Sequence, residues 1–266
     1  MRIYIGLVIV LAFILSGCKS EFETLRASNQ PEKVYAAANK YYKNKEYDKA
    51  IALYDVVIQF YRGRQEAEDL FFNYAYAHYY QGDYILSATY FKNYSGTFGN
   101  SPNKQEAEYM AAYSNYKMSP NFKLDQSYTV KAIEGMEQFI NLYPGTERAE
   151  MANRLIDEMR RKLEQKSYEQ GTLYYKIGQY QAAVISFQNT IKDFPESAKI
   201  EEIRFLILKS SYILASNSIY EKQEERFNET LDHYNVFIKK HPASKMLKEA
   251  KNIEKQTLAE LKKLKA

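Results

Sequence analysis

Side chains able to do covalent or acid–base chemistry are few in this 266-residue chain, which has one cysteine and three histidines. His78, His233 and His241 stand alone, without the i, i+4 partner that would put a second imidazole on the same helix face around a metal ion. No His-Glu-x-x-His, glycine-rich phosphate loop or Gly-x-Ser-x-Gly elbow occurs. Acidic pairs such as Glu201-Glu202 and Glu224-Glu225 are neighbours in sequence, so on a helix they diverge by about 100° and cannot converge on one bond. The sequence therefore predicts no enzyme, no cofactor and no metal site.

A single cysteine also excludes an internal disulfide and a thiolate metal cluster, and the residues around Cys18 give it another use. Met1 and Arg2 make a short basic start, and residues 3–15 are a mostly apolar run, too short for a membrane span of about twenty residues but suited to a signal-peptide core. Leu15-Ser16-Gly17-Cys18 then matches the lipobox of bacterial lipoproteins. The expected organisation is a signal peptide over 1–17, removed in the mature chain, and a Cys18 carrying several acyl chains such as palmitate. Each buried methylene contributes about 0.8 kcal/mol, so several chains hold a protein stably at a bilayer where one would bind marginally. Residues 18–30 read as the lipidated cysteine and a polar linker. Lys19 is not the Asp that retains lipoproteins in the inner membrane of some bacteria, so the expected location is the outer membrane, with the folded part facing the periplasm.

The elements that follow are set by a repeat. From Tyr180, offsets of 3, 7 and 15 give Ala183, Phe187 and Pro195; from Tyr47 they give Ala50, Tyr54 and Arg62; from Tyr84 they give Ser87, Phe91 and Gly99. With Gly171, Tyr174 and Gly178 ahead of Tyr180, this spacing matches the tetratricopeptide repeat (TPR), a helical hairpin of about 34 residues. Gly171 and Ala183 would let the two helices of the hairpin approach closely, and Gly178 would end the first helix in a left-handed turn. The strings Tyr143-Pro144-Gly145-Thr146, Phe194-Pro195-Glu196-Ser197 and His241-Pro242-Ala243-Ser244 each read as an aromatic, a stop and a hydroxyl that caps the next helix.

The predicted fold is thus all-α, a superhelical TPR solenoid of about five helical hairpins over 31–244, closed by a capping helix over 245–266. That final helix would pack Leu247, Ala250, Ile253, Leu258 and Leu261 against the stack. Residues 147–176 hold no glycine or proline before Gly171 and read as one long helix, while 119–125 form an insertion that places Phe122 on a loop. A formal net charge of +4, with both signs mixed along the helices, lacks the basic stripe of a nucleic-acid-binding protein.

Twenty-six tyrosines, fourteen phenylalanines and no tryptophan are an unusual aromatic balance, most of which interhelical packing accounts for, since a TPR stack needs several aromatics per repeat. The first helix of each hairpin lines the inner face of such an array. On that register the exposed positions are Tyr35, Asn39 and Tyr42 in the first hairpin and Asp69, Phe72, Tyr76, Tyr79 and Tyr80 in the second. Rings interleaved with polar groups suit an extended peptide, and Tyr168, Tyr175 and Lys176 form a corresponding partner-binding set in the fourth hairpin.

A lipobox, a short spacer and about five hairpins resemble the BamD family of outer-membrane lipoproteins, TPR subunits of the β-barrel assembly machinery. The opening 31–38 (Pro-Glu-Lys-Val-Tyr-Ala-Ala-Ala), the run Tyr74-Ala75-Tyr76 followed by Gly82-Asp83-Tyr84, and residues 160–169 carry that resemblance most specifically. It implies a non-enzymatic scaffold whose N-terminal hairpins receive unfolded outer-membrane protein precursors and whose C-terminal hairpins dock on the periplasmic domains of the barrel-forming subunit BamA. Where family members often close the first two hairpins with proline, this chain has Arg62-Gly63 and Gly99-Asn100. The alternative reading is another periplasmic TPR lipoprotein, serving cell-wall or glycan machinery; an accessory subunit of an enzyme complex is a further one.

Overall fold

The structure is a computed structural model that describes residues 21–265, so Cys18 and the apolar run before it lie outside the described residues. All regular structure among the described residues is helical: α1 (Glu21–Arg26), α2 (Pro31–Lys43), α3 (Tyr47–Tyr61), α4 (Ala67–Gln81), α5 (Tyr84–Thr97), α6 (Lys104–Lys117), α7 (Ser127–Leu142), α8 (Glu147–Lys176), α9 (Tyr180–Asp193), α10 (Ile200–Ser216), α11 (Tyr220–Lys240) and α12 (Leu247–Leu264). The chain divides into two compact units, 21–119 with 127–156, and 120–126 with 157–265, the division falling within α8. Consecutive helices pack on one another within each unit, which makes the fold a helical-hairpin repeat of the TPR type.

Hairpin geometry follows from the repeat landmarks. Ala50, Ser87 and Ala183, three residues after Tyr47, Tyr84 and Tyr180, are all fully buried, and so are Tyr54, Phe91 and Phe187 four residues further on. At Gly171 the approach is closest, since a Cβ built there would lie 2.5 Å from the Phe187 ring. Three hairpin turns place a left-handed residue two positions before the landmark tyrosine: Gly82 at φ +86°, Gly178 at φ +78° and, without a glycine, Lys45 at φ +64°. A Cβ in that region costs about 1 kcal/mol, and among the described residues only Lys45, in the first hairpin, carries this strain.

The first unit buries Val34, Ala38, Leu53, Tyr54, Val57 and Leu70 between α2, α3 and α4. Pro31 opens α2 at its first turn, where a missing N–H leaves nothing unpaired. Where the sequence suggests a polar spacer, residues 21–26 form α1 instead, with Phe22 and Leu25 against this core and the Phe22 ring edge-on to Tyr41 at 5.8 Å. Two apolar residues three apart are enough to fold the segment back, a signal hidden by its charged neighbours.

In the second unit α12 lays Ala250 and Ile253 on Phe205, Leu208, Tyr234 and Phe237, and Leu261 on Ala215 and Phe227, capping the last hairpin. Leu258, expected in that packed row, is instead 51% exposed, and Thr257 takes the buried position because its hydroxyl donates to the Ile253 carbonyl at 2.8 Å. The insertion 119–125 is held in place: Lys166 Nζ donates to the Leu124 and Phe122 carbonyls at 2.7 and 3.3 Å, and Phe122 is half-buried rather than fully offered to solvent.

Candidate peptide-binding site

Tyrosines of the first unit form a connected run of rings. Tyr42, at the end of α2, meets Tyr47 edge to face at 5.9 Å; Tyr47 stacks on Tyr80 at 4.9 Å; Tyr80 stacks on Tyr76 at 5.6 Å. Tyr79 touches Tyr76, Tyr80 and Tyr84, and continues the run to Tyr113 of α6 at 6.2 Å. Tyr113 then stacks between Tyr109 and Tyr116 at 5.6 and 5.5 Å, and the Arg148 guanidinium lies 4.3 Å from the Tyr109 ring centroid.

Helix spacing produces this arrangement. Tyr76, Tyr79 and Tyr80 fall at i, i+3 and i+4 on α4, and Tyr109, Tyr113 and Tyr116 fall at i, i+4 and i+7 on α6, so each trio shares one face. The α6 trio adds to the expected surface, and its i, i+4, i+7 periodicity is the sequence signal for it. Tyr76 is fixed by more than its ring: its hydroxyl donates to Glu106, whose other oxygen pairs with Arg148 at 2.5 Å. Burial and the Glu106 carboxylate both push the Tyr76 hydroxyl pKa up, and burial pushes Tyr79 up to about 12. At neutral pH both hydroxyls stay protonated; the Tyr76 proton is committed to Glu106. Tyr80 is the most open member, with 52% of its surface exposed.

Not all the residues read from the sequence join this surface. Tyr35 packs on Tyr61 at 4.8 Å and on Tyr54 at 6.4 Å, and Asn39 accepts a 2.7 Å hydrogen bond from the Tyr54 hydroxyl, so both serve the interior of the first hairpin. Phe72 lies against Tyr94 at 5.1 Å and Phe91 at 6.0 Å inside the second. Asp69 is exposed at the start of α4.

In the second unit Tyr168 donates to Glu202 at 2.7 Å and lies under the Lys199 ammonium, 4.0 Å from the ring centroid. Burial and the Glu202 carboxylate raise its pKa to about 12. Tyr175 turns to Tyr180 at 5.7 Å and is half-buried, while Lys176 is exposed beside it. No group of three or more metal-ligating side chains occurs among the described residues, and no helix there is long and apolar enough to cross a membrane.

Hairpins of this register with a face of linked rings define a TPR-type repeat protein. The model of the YfiO family, described as outer membrane lipoprotein, matches residues 27–224, and the chain belongs to that family. The outer membrane protein assembly factor BamD of Caulobacter vibrioides is 25% identical over 142 residues, which are 53% of this chain and 47% of that relative, so the match spans about half its length. Among solved structures, the TPR2AB domain of yeast Sti1 in complex with pHSP90 covers 85% of this chain and 98% of its own at 13% identity and a TM-score of 0.38. A TPR repeats protein from Bacteroides fragilis covers 87% and 99% at the same identity and TM-score.

Proposed function

We propose that this chain is a non-enzymatic scaffold and substrate receptor in outer-membrane β-barrel protein assembly, anchored in the outer membrane by acylated Cys18 with its hairpins in the periplasm. Unfolded barrel precursors would lie as extended segments along the tyrosine run of the first unit. Their apolar side chains would rest on the rings, and their backbone carbonyls would accept hydrogen bonds from tyrosine hydroxyls. The C-terminal hairpins, with Tyr168, Tyr175 and Lys176, would take a BamA-like barrel subunit. The corresponding domains are a signal peptide over 1–17, a lipidated Cys18 with a segment to residue 30 that contains α1, hairpins over 31–244 and a cap over 245–266.

The observation that carries the reading is Tyr80, half-exposed and stacked between Tyr47 of the first hairpin and Tyr76 of the second, in a member of an outer membrane lipoprotein family. A relative named as an outer membrane protein assembly factor supports the assembly role. The test is affinity purification from detergent-solubilised membranes: a BamA-like barrel subunit co-purifies with the wild-type chain, and a Cys18→Ala variant leaves the membrane fraction. Recovery of cell-wall or glycan enzymes without any barrel subunit would favour the alternative scaffold and overturn this one.

A further inference from the structure

The carboxy-terminal helix carries a second surface that peptide binding does not use. Residues 245–265 hold seven lysines against three glutamates, an excess of four that equals the net charge of the whole chain. The rest of the molecule is formally neutral, so its net positive charge is concentrated on α12 and the flanking Lys245 and Lys265.

Packing sorts these charges by face. Ala250, Ile253, Thr257 and Leu261 turn inward. The three acids flank that buried row: Glu249 reaches back to Lys209 at 2.8 Å, Glu260 pairs with Lys263 at 2.7 Å, and Glu254 faces Tyr234, whose pKa burial and then this carboxylate raise. What remains on the outward side is Lys248, Lys251, Lys255, Leu258 and Lys262, a row at i, i+3, i+7, i+10 and i+14, with every member exposed. No acid pairs with any of these lysines among the described residues.

A row of that spacing is straight and about 21 Å long at 1.5 Å per residue. Lys248, Lys251 and Lys255 are three and four residues apart on one helix, with about 5–6 Å between Cβ atoms and inside a Debye length of about 8 Å at physiological salt, so their like charges favour an extended anionic partner. Two features select a lipid surface over a nucleic acid. Leu258 and the lysine stems present methylenes that an acyl boundary takes up while the ammonium heads stay at the phosphates, and the chain belongs to an outer membrane lipoprotein family.

We infer that this face of α12 binds an anionic phospholipid surface, with the lysines on headgroup phosphates and Leu258 at the acyl boundary. The contact would lay the last hairpin against the membrane independently of the acylated amino terminus.

The test uses the full chain with Cys18→Ser and Ala259→Cys, the latter an exposed position on the same side, labelled with an environment-sensitive nitrobenzoxadiazole dye. Because the dye reports only on α12, binding through residues 3–15 does not mask the result. Emission should rise with phosphatidylglycerol vesicles, stay flat with phosphatidylcholine vesicles, and fall back at high salt. The triple variant K248Q/K251Q/K255Q should need about 100-fold more anionic lipid for the same rise. A control of equal net charge, K33Q/K192Q/K239Q, altered at exposed lysines elsewhere, should behave as the parent. An equal response to both lipids, an equal loss in the control, or an equal rise with duplex DNA would overturn the inference.

Discussion

Tyr175 and Tyr180 meet edge to face across the turn between α8 and α9, with ring centroids 5.7 Å and planes 72° apart. Tyr42 and Tyr47, and Tyr79 and Tyr84, repeat the contact at 5.9 and 5.5 Å with planes at 67° and 62°. Three turns therefore share one geometry, and in two of them a glycine supplies the left-handed residue. Lys45→Gly should place the first turn on the same footing and stabilise the chain by about 0.5–1 kcal/mol, read as a higher urea midpoint. A lower midpoint would mean that the Lys45 side chain contributes a contact outweighing its backbone strain.

Gly171→Ala tests the close approach. The added methyl would lie 2.5 Å from the ring of Phe187, which is fully buried, so one of the two must shift. Overpacking costs about 1–3 kcal/mol, against roughly 1 kcal/mol gained from alanine's helix propensity, so a net loss of up to about 2 kcal/mol is expected in thermal or urea unfolding. Adding Phe187→Leu to Gly171→Ala should cost less than the sum of the two single changes, because the smaller side chain makes room.

Ser197 and Ser101 join one hairpin to the next in the same way. Ser197 Oγ donates to Glu164 at 2.6 Å and accepts from the Lys199 amide; Ser101 Oγ donates to Glu68 at 2.5 Å and accepts from the Asn103 amide. Both ties reach back 33 residues, one repeat length. Ser197→Ala and Ser101→Ala should each destabilise by about 1 kcal/mol. A glutamate without its serine should lose most of its effect, so Ser197→Ala with Glu164→Gln should cost little more than either alone in a double-mutant cycle.

Acid should weaken the fold through its histidines. His78 is buried against the Tyr74 and Tyr90 rings, and burial lowers its pKa from 6.5 although Asp83 Oδ2, 3.3 Å from Nδ1, and Asp55 pull the other way. Burial lowers His233 and His241 as well. A folded pKa below the unfolded one means that the unfolded chain binds more protons near pH 6, so stability present above about 6.5 is lost as the pH falls through it. Urea midpoints measured from pH 7.5 downward should drop, and His78→Gln should flatten part of that slope. Midpoints that rise on acidification would contradict this.

The repeat register was legible because small and aromatic residues recur at fixed offsets, and a hairpin has one place for each of them. Ala50, Ser87 and Ala183 are buried where the spacing puts them, and α8 runs the full 147–176 that its lack of breakers suggested. Facing was less legible. From Leu70 to Tyr80 nearly every residue is apolar or aromatic, so periodicity could not separate Phe72, which serves the hairpin interior, from Tyr80, which stays open. The α6 tyrosines have the required periodicity, but their role depends on contact with Tyr79, a relationship between hairpins that no local pattern encodes. Leu258 shows the same limit: its spacing fits the buried row, yet the threonine beside it can satisfy its own hydroxyl and takes the place.

Whether the tyrosine run receives unfolded barrel precursors is tested most directly by replacing Tyr80 with a photo-crosslinking phenylalanine analogue and irradiating the chain with a urea-diluted outer-membrane β-barrel precursor. Position 80 should form adducts with the precursor, and an unlabelled precursor peptide should compete them away. The same analogue at Ile219, a still more exposed residue in the loop before α11, should form none. Equal crosslinking at both positions, or none at Tyr80 while the helical circular dichroism is unchanged, would contradict the account.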